Sequence, residues 1–174
     1  MKKKLFPLRT AVTLAMLTAL AVVLDRFVPV VFTDSIKVTL TFVPAVIAAI
    51  LYGPAGGATV WGLADLIGAI LFPRGAYFPG FTVTAALKGA CFGWFLYRKD
   101  PKFLLHILPS SFIANFMIGL AVDTLWISII SGSKTYWGFF VSRIPAFAAL
   151  FIMNLVLIPV LQRLCGILRK HVRL

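Results

Sequence analysis

The chain contains no glutamate at all. Its side-chain carboxylates are five aspartates, Asp25, Asp34, Asp65, Asp100 and Asp123, set against 17 lysines and arginines. Histidine is nearly as scarce, with only His106 and His171. An enzyme gathers acid, base or metal groups in one place, and so thin a stock of them argues against catalysis and against a resident metal or cofactor. No H-E-x-x-H occurs, and no G-x-x-x-x-G-K-[ST], so the polypeptide does not bind ATP in the P-loop manner. The two cysteines, Cys91 and Cys165, fall in apolar segments without metal-ligand spacing and read as small core residues. Charged residues make up 13% of the chain, where soluble domains carry about a quarter.

Apolar sequence fills the gap. Of 174 residues 61% are hydrophobic, and the mean hydropathy is +1.00. A bilayer core about 30 Å thick takes roughly 20 apolar residues per helix, and several such runs leave almost no soluble remainder. The reading is an all-α membrane protein, a single integral domain over 1–174, with six spans at 8–24, 36–52, 56–72, 81–97, 104–130 and 139–168. The second span opens on an alternating stretch, Ile36, Val38, Leu40 and Phe42, which need not be helical from its start. The two late spans exceed the bilayer and must tilt, bend at Pro145 or Pro159, or protrude. The start, MKKKLFPLRTAVTLAMLTALAVVL, has the basic and apolar look of a secretory signal. Its length and the five spans after it favour a retained first helix.

A net charge of +12 invites a nucleic-acid reading, but the basic residues flank apolar runs and form no stripe. They orient helices instead. Lys2, Lys3, Lys4, Arg9, Arg98, Lys99, Lys102, Arg163, Arg169, Lys170 and Arg173 lie on one side; Arg26, Lys37, Arg74, Lys134, Arg143 and Lys88 lie on or toward the other. Eleven against six predicts a multi-pass protein of the cell membrane with both termini, and both histidines, cytoplasmic.

The outer connectors then stand out, because each keeps a cation and each carries rings: Phe27 and Phe32; Tyr77, Phe78 and Phe81; Tyr136, Trp137 and Phe139. The stretch PRGAYFPGFT at 73–82 is the densest of them. An interfacial belt explains aromatics at headgroup depth but not the cations beside them. Stacking surfaces with cations suit a flat, conjugated, anionic solute. Charges inside spans are candidates for function, and there are three, Asp65, Lys88 and Asp123. Asp65 and Asp123 each fall about 10 Å below the outer end of their span, with Lys88 at a similar depth. Ligand contact and a Lys88–Asp65 pair locking two helices are equally open. Trp126, one turn from Asp123, lines a cavity or faces lipid. In span one Ala11, Ala15 and Ala19 recur at every fourth position and form a smooth face for close helix approach, either inside this bundle or toward another membrane protein. No inverted repeat of the kind secondary transporters use is evident, so transport by this chain would need partners.

YFPGFT at 77–82, LYGPAGG at 51–57, GLADLIGAILFP at 62–73 and LDRF at the end of span one together resemble the substrate-binding S components of energy-coupling factor (ECF) vitamin transporters, the folate-specific type above all. The resemblance covers most of the chain and is strongest from about residue 40 to 97. It implies a six-helix bacterial plasma-membrane protein with an outer vitamin pocket, working with a transmembrane T component and two ABC-type ATPases that use the ATP. It implies folate as ligand, with Arg26, Phe27, Asp65, Arg74, Tyr77, Phe78, Pro79, Phe81, Lys88, Trp126, Trp137 and Arg143 around it. It also implies Ala11, Ala15 and Ala19 as the docking face for the T component. The segment 73–82 becomes a lid, stiffened by Pro73 and Pro79 and turned at Gly75 and Gly80. The competing expectations are an S component for riboflavin or a similar planar vitamin, and a membrane scaffold whose aromatics only anchor it.

Overall fold

A computed structural model describes residues 8–33, 36–73, 77–99, 103–131 and 136–172. Arg74, Gly75 and Lys134 lie outside them. The chain opens with α1 (Leu8–Arg26), followed by a two-stranded antiparallel hairpin, β1 (Pro29–Thr33) and β2 (Ile36–Thr39). Next come α2 (Phe42–Leu71) and α3 (Pro79–Leu96). A continuous helical run over 103–131, here α4, contains wider π-type turns at Phe103–Ile107 and Ile113–Val122. The last helix, α5 (Tyr136–Val172), runs through Pro145 and Pro159 without interruption. Among the described residues, four helical stretches are long and apolar enough to cross a bilayer: Leu8–Arg26, Phe42–Leu71, Leu105–Ser131 and Tyr136–Ile167.

The hairpin is the one departure from the all-α expectation among the described residues, and it falls where the second span, 36–52, opens on the alternating stretch that need not be helical. The alternation that starts at Ile36 is a strand, and helix begins only at Phe42. Four extended residues at about 3.3 Å each and eleven helical ones at about 1.5 Å still add to about 30 Å, so the segment keeps its reach. Strand backbone near a membrane is tolerated because the two strands satisfy each other, with Val31 opposite Val38 and Phe32 opposite Lys37.

Within α2 the backbone leaves helical geometry at Gly53, where φ is 81° and ψ is −163°. Residues eight apart in a continuous helix are about 12 Å apart along its axis. Here a Cβ built on Gly57 would lie 2.8 Å from the Cβ of Ala49, and one on Gly56 would lie 3.0 Å from the carbonyl oxygen of Ala48. The chain therefore doubles back at Gly53, and α2 is two arms, 42–52 and 54–71, packed against each other through alanine and glycine. That backbone conformation is open essentially to glycine alone, and Tyr97 presses its ring to 3.3 Å of the missing Cβ. Gly53→Ala is expected to cost about 1–3 kcal/mol. The check is a lower melting temperature of the detergent-solubilised protein, with Gly138→Ala, which meets open space, as the neutral control.

Between helices in lipid there is no hydrophobic drive, so close van der Waals contact holds the bundle. The first α2 arm is the hub. Phe42, Val46, Ala49 and Ile50 pack with Phe92 and Leu96 of α3, Ile107 and Ala114 of α4, and Ile158 and Cys165 of α5. On its other side Ala45 and Ala48, with Val60 and Ala64 of the second arm, meet Leu14, Ala21 and Val22 of α1. The outer faces of the helices carry exposed apolar side chains, among them Met16, Ile70, Trp94, Ile152 and Val156, as lipid contact requires.

Candidate ligand-binding site

Side-chain contacts link residues of all five helices at one end of the bundle. The Arg26 guanidinium, on the last residue of α1, lies in the space left by Gly68 of α2, where a Cβ would sit 2.7 Å from its Nε. Next to it Phe27 meets Phe72 edge-on at 5.2 Å. Asp25 is 3.1 Å from Arg26 Nε and accepts a hydrogen bond from the Thr41 hydroxyl at 3.1 Å, tying α1 to the start of α2. Thr39, at the end of β2, stands 2.8 Å from the Thr41 hydroxyl, so the same cluster anchors the hairpin.

The turn into α3 supplies hydroxyls and rings. Phe78 holds an extended backbone before the helix and Pro79 occupies its first position, where a missing N–H costs nothing. Thr82 donates to Asp65 at 2.8 Å, which leaves its oxygen to accept from Tyr77 3.0 Å away. Tyr77 is thereby coupled to the Asp65 carboxylate. Thr84 donates to the Gly80 carbonyl at 2.8 Å and accepts from the Trp126 indole N–H at 3.0 Å. That bond fixes the indole of α4 beside Phe78, at 5.2 Å between ring centroids, with Phe81 edge-on to Phe78 at 6.5 Å. Gly80 makes room for both large rings, since a Cβ there would come within 2.6 Å of Phe78 and 2.7 Å of Trp126.

Deeper along α3, Lys88 Nζ donates to Asp123 Oδ2 of α4 at 2.7 Å. Of the two alternatives left open for these charges, the Lys88–Asp65 pair is not the one formed: the lysine is held across α3 and α4, and Asp65 is engaged by Thr82. Arg143 of α5 reaches the Thr124 hydroxyl at 3.5 Å and stacks on Phe147, 5.3 Å from the ring centroid. Lys88 stands over the same ring at 5.8 Å. The end of the bundle thus offers a ring level (Phe78, Phe81, Trp126), a hydroxyl–carboxylate level (Tyr77, Thr82, Asp65) and an ion level (Lys88, Asp123, Arg143). No group of three or more metal-ligating side chains occurs among the described residues. A flat molecule with polar edges and an anionic end matches this set of surfaces.

The model of the ECF transporter substrate-specific component matches residues 9–162. The chain belongs to this family. As an S component it is similar to the folate transporter FolT of Clostridium novyi (strain NT), 30% identical over 145 residues that cover 83% of each chain. It is also similar to FolT of Leuconostoc mesenteroides, 27% identical over 152 residues covering 87% of this chain and 80% of that one. Among solved structures it superposes on FolT bound with folic acid at a TM-score of 0.82, with 27% identity, over 91% of this chain and 94% of that one.

In this S component the residues singled out from sequence fall into three groups. Asp65, Tyr77, Phe78, Pro79, Phe81, Lys88, Trp126 and Arg143 are joined across α2, α3, α4 and α5 by the contacts above. Arg26 and Phe27 cluster against Gly68 and Phe72 on the α1 side. Trp137 stands apart, 66% exposed, its ring against Tyr136 and Phe140. Arg74 lies outside the described residues. Thr82, Thr84, Thr124 and Phe147 belong to this end of the bundle without being among the residues expected from sequence, and Asp123, expected only as a charge inside a span, joins them. Threonine and phenylalanine are ordinary in membrane helices and carry no signal until a partner is seen. Asp123 carries one, as a charge inside an apolar span.

The alanine face is resolved more clearly. Leu14, Thr18, Ala21 and Val22 are the buried positions of α1, whereas Ala11, Ala15 and Ala19 are exposed. These alanines line an apolar groove of about 610 Å³ between α1 and the second α2 arm, together with Thr59, Leu63 and Ile67. They are therefore not packed into the interior of this bundle.

Proposed function

We propose that this S component is the folate-binding subunit of an ECF-type importer in the bacterial plasma membrane. It captures folate at the outer face and delivers it through a transmembrane T component energised by two ABC-type ATPases. The observation that carries the reading is the likeness to FolT bound with folic acid, at a TM-score of 0.82 over 91% of the chain. The site supports it: a ring level for a pterin and a benzoyl group, and cations for the glutamate carboxylates. In this reading the two arms of α2 each cross the membrane, giving six spans with both termini cytoplasmic, and the ligand end faces outward. The residues 73–82 close over it as a lid. Arg26, Phe27, Asp65, Arg74, Tyr77, Phe78, Pro79, Phe81, Lys88, Trp126, Trp137 and Arg143 contact or enclose the ligand, and Ala11, Ala15 and Ala19 meet the T component.

The test is what the protein carries out of the membrane. Purified in detergent and then denatured, it is expected to release a compound with the ultraviolet spectrum of a folate, displaced beforehand by excess folic acid and not by riboflavin. Release of a flavin would assign the protein to the other planar vitamin instead.

A further inference from the structure

The ion level has a charge balance that the lid and the rings do not explain. Lys88 Nζ lies 2.7 Å from Asp123 Oδ2, and their side chains are only 16% and 11% exposed. Arg143 bonds to Thr124, the next residue, and lies within electrostatic reach of the same carboxylate. Both cations stand over one ring, Phe147, at 5.8 and 5.3 Å. Gly119 makes room for that ring, since a Cβ there would come within 2.5 Å of it. Asp65 belongs to another level: its partner Thr82 is six residues before Lys88, roughly 9 Å along the α3 axis. Two cations thus stand near one carboxylate, Lys88 paired with it and Arg143 bonded to the neighbouring Thr124, and the trio carries a formal net charge of +1 in a poorly hydrated place. Such a charge is costly until an anion meets it.

We propose that Asp123 sets the charge read by this site: by cancelling one of the two cations on Phe147 it leaves a single positive charge that takes one carboxylate of the bound ligand. Asp123 is then a positioning residue. Without it Lys88 and Arg143 repel across the ring; with it Lys88 is pinned, and one anionic group suffices to balance Arg143. The inference rests on the folate reading, and it goes beyond a list of contacts because it predicts rescue by a second substitution.

The experiment uses the full chain, purified ligand-free, and two probes: folic acid, and its diamide, in which both glutamate carboxylates are neutral amides. Lys88→Met brings the trio to zero charge and should weaken folic acid binding roughly tenfold or more. Lys88→Met/Asp123→Asn restores the single positive charge on Arg143, and most of the lost affinity for folic acid should return. The diamide should bind weakly and alike to all three proteins. A double variant as weak as Lys88→Met overturns the proposal, because Lys88 would then act through its own placement and not through charge. Equal losses for folic acid and diamide overturn it too. If Lys88→Met does not remain monodisperse, the double variant decides alone: affinity near wild type supports the proposal, and a loss of roughly tenfold or more overturns it. Failure of the wild-type chain to bind folic acid at all would instead remove the functional reading, a distinguishable result.

Discussion

Ala15→Trp is expected to abolish folate uptake by cells carrying the complete transporter while leaving folate binding by the isolated chain unchanged. Ala15 is exposed in the middle of the groove between α1 and the second α2 arm, flanked one turn away on each side by Ala11 and Ala19. Helix association in lipid depends on van der Waals contact, and a gap of even an ångström forfeits much of it. An indole at the centre of the face holds a partner helix off along its whole length. None of the site contacts involves α1 before Asp25, so the ligand end is untouched. The measurements are radiolabelled folate uptake, copurification of the T component, and titration of the isolated variant. Tyr77→Ala should do the reverse, because it removes the ring and hydroxyl that lead to Thr82 and Asp65 but leaves the groove intact. Binding lost with assembly intact in Ala15→Trp would mean that the face serves the interior after all.

Gly89→Val is expected to prevent the bundle from closing. A side chain on Gly89 would run into the carbonyl of Gly57 on α2, and one on Gly57 into that of Gly89, so these backbones touch. One turn on, a Cβ at Gly93 would strike Pro54 beside the Gly53 reversal. Overpacking a well-filled core costs about 1–3 kcal/mol when side chains can yield, and here backbone faces backbone, so the cost should reach or exceed the top of that range. Lys88 is the preceding residue, and displacement of α3 would carry it away from Asp123. The expected result is loss of a monodisperse peak in size exclusion, or a folded remnant that no longer binds folic acid. A variant with wild-type melting and binding would show that α2 and α3 are not held at this crossing.

What was legible in the sequence followed from regular signals. Long apolar runs mark helices, and alanine at every fourth residue of α1 marks a face whatever lies against it. Charges in the same half of separate spans, Asp65, Lys88 and Asp123, mark one end of a bundle, although Asp65 and the Lys88–Asp123 pair lie at different levels there. Which of them pair was not legible, because depth ranks residues along a helix and says nothing about rotation around it. Lys88 turns toward α4, and Thr82 takes Asp65 instead. The hairpin was visible only as an alternation at Ile36, short enough to be absorbed into a helical span. The reversal at Gly53 coincides with LYGPAGG, whose glycines could equally mark a kink; only contacts between residues eight apart distinguish the two. Thr84 and Phe147 left no trace, since each gains its role from a partner on another helix, Trp126 in one case and the Lys88–Arg143 pair in the other.

The central claim is that one chain, without any ATPase or T component, holds a complete folate site. Calorimetric titration of the ligand-free, detergent-purified protein with folic acid tests it most directly. The account predicts saturable binding of one folic acid per chain. Absence of heat and of any fluorescence change at micromolar folic acid, from protein that is monodisperse and melts cooperatively, would contradict it.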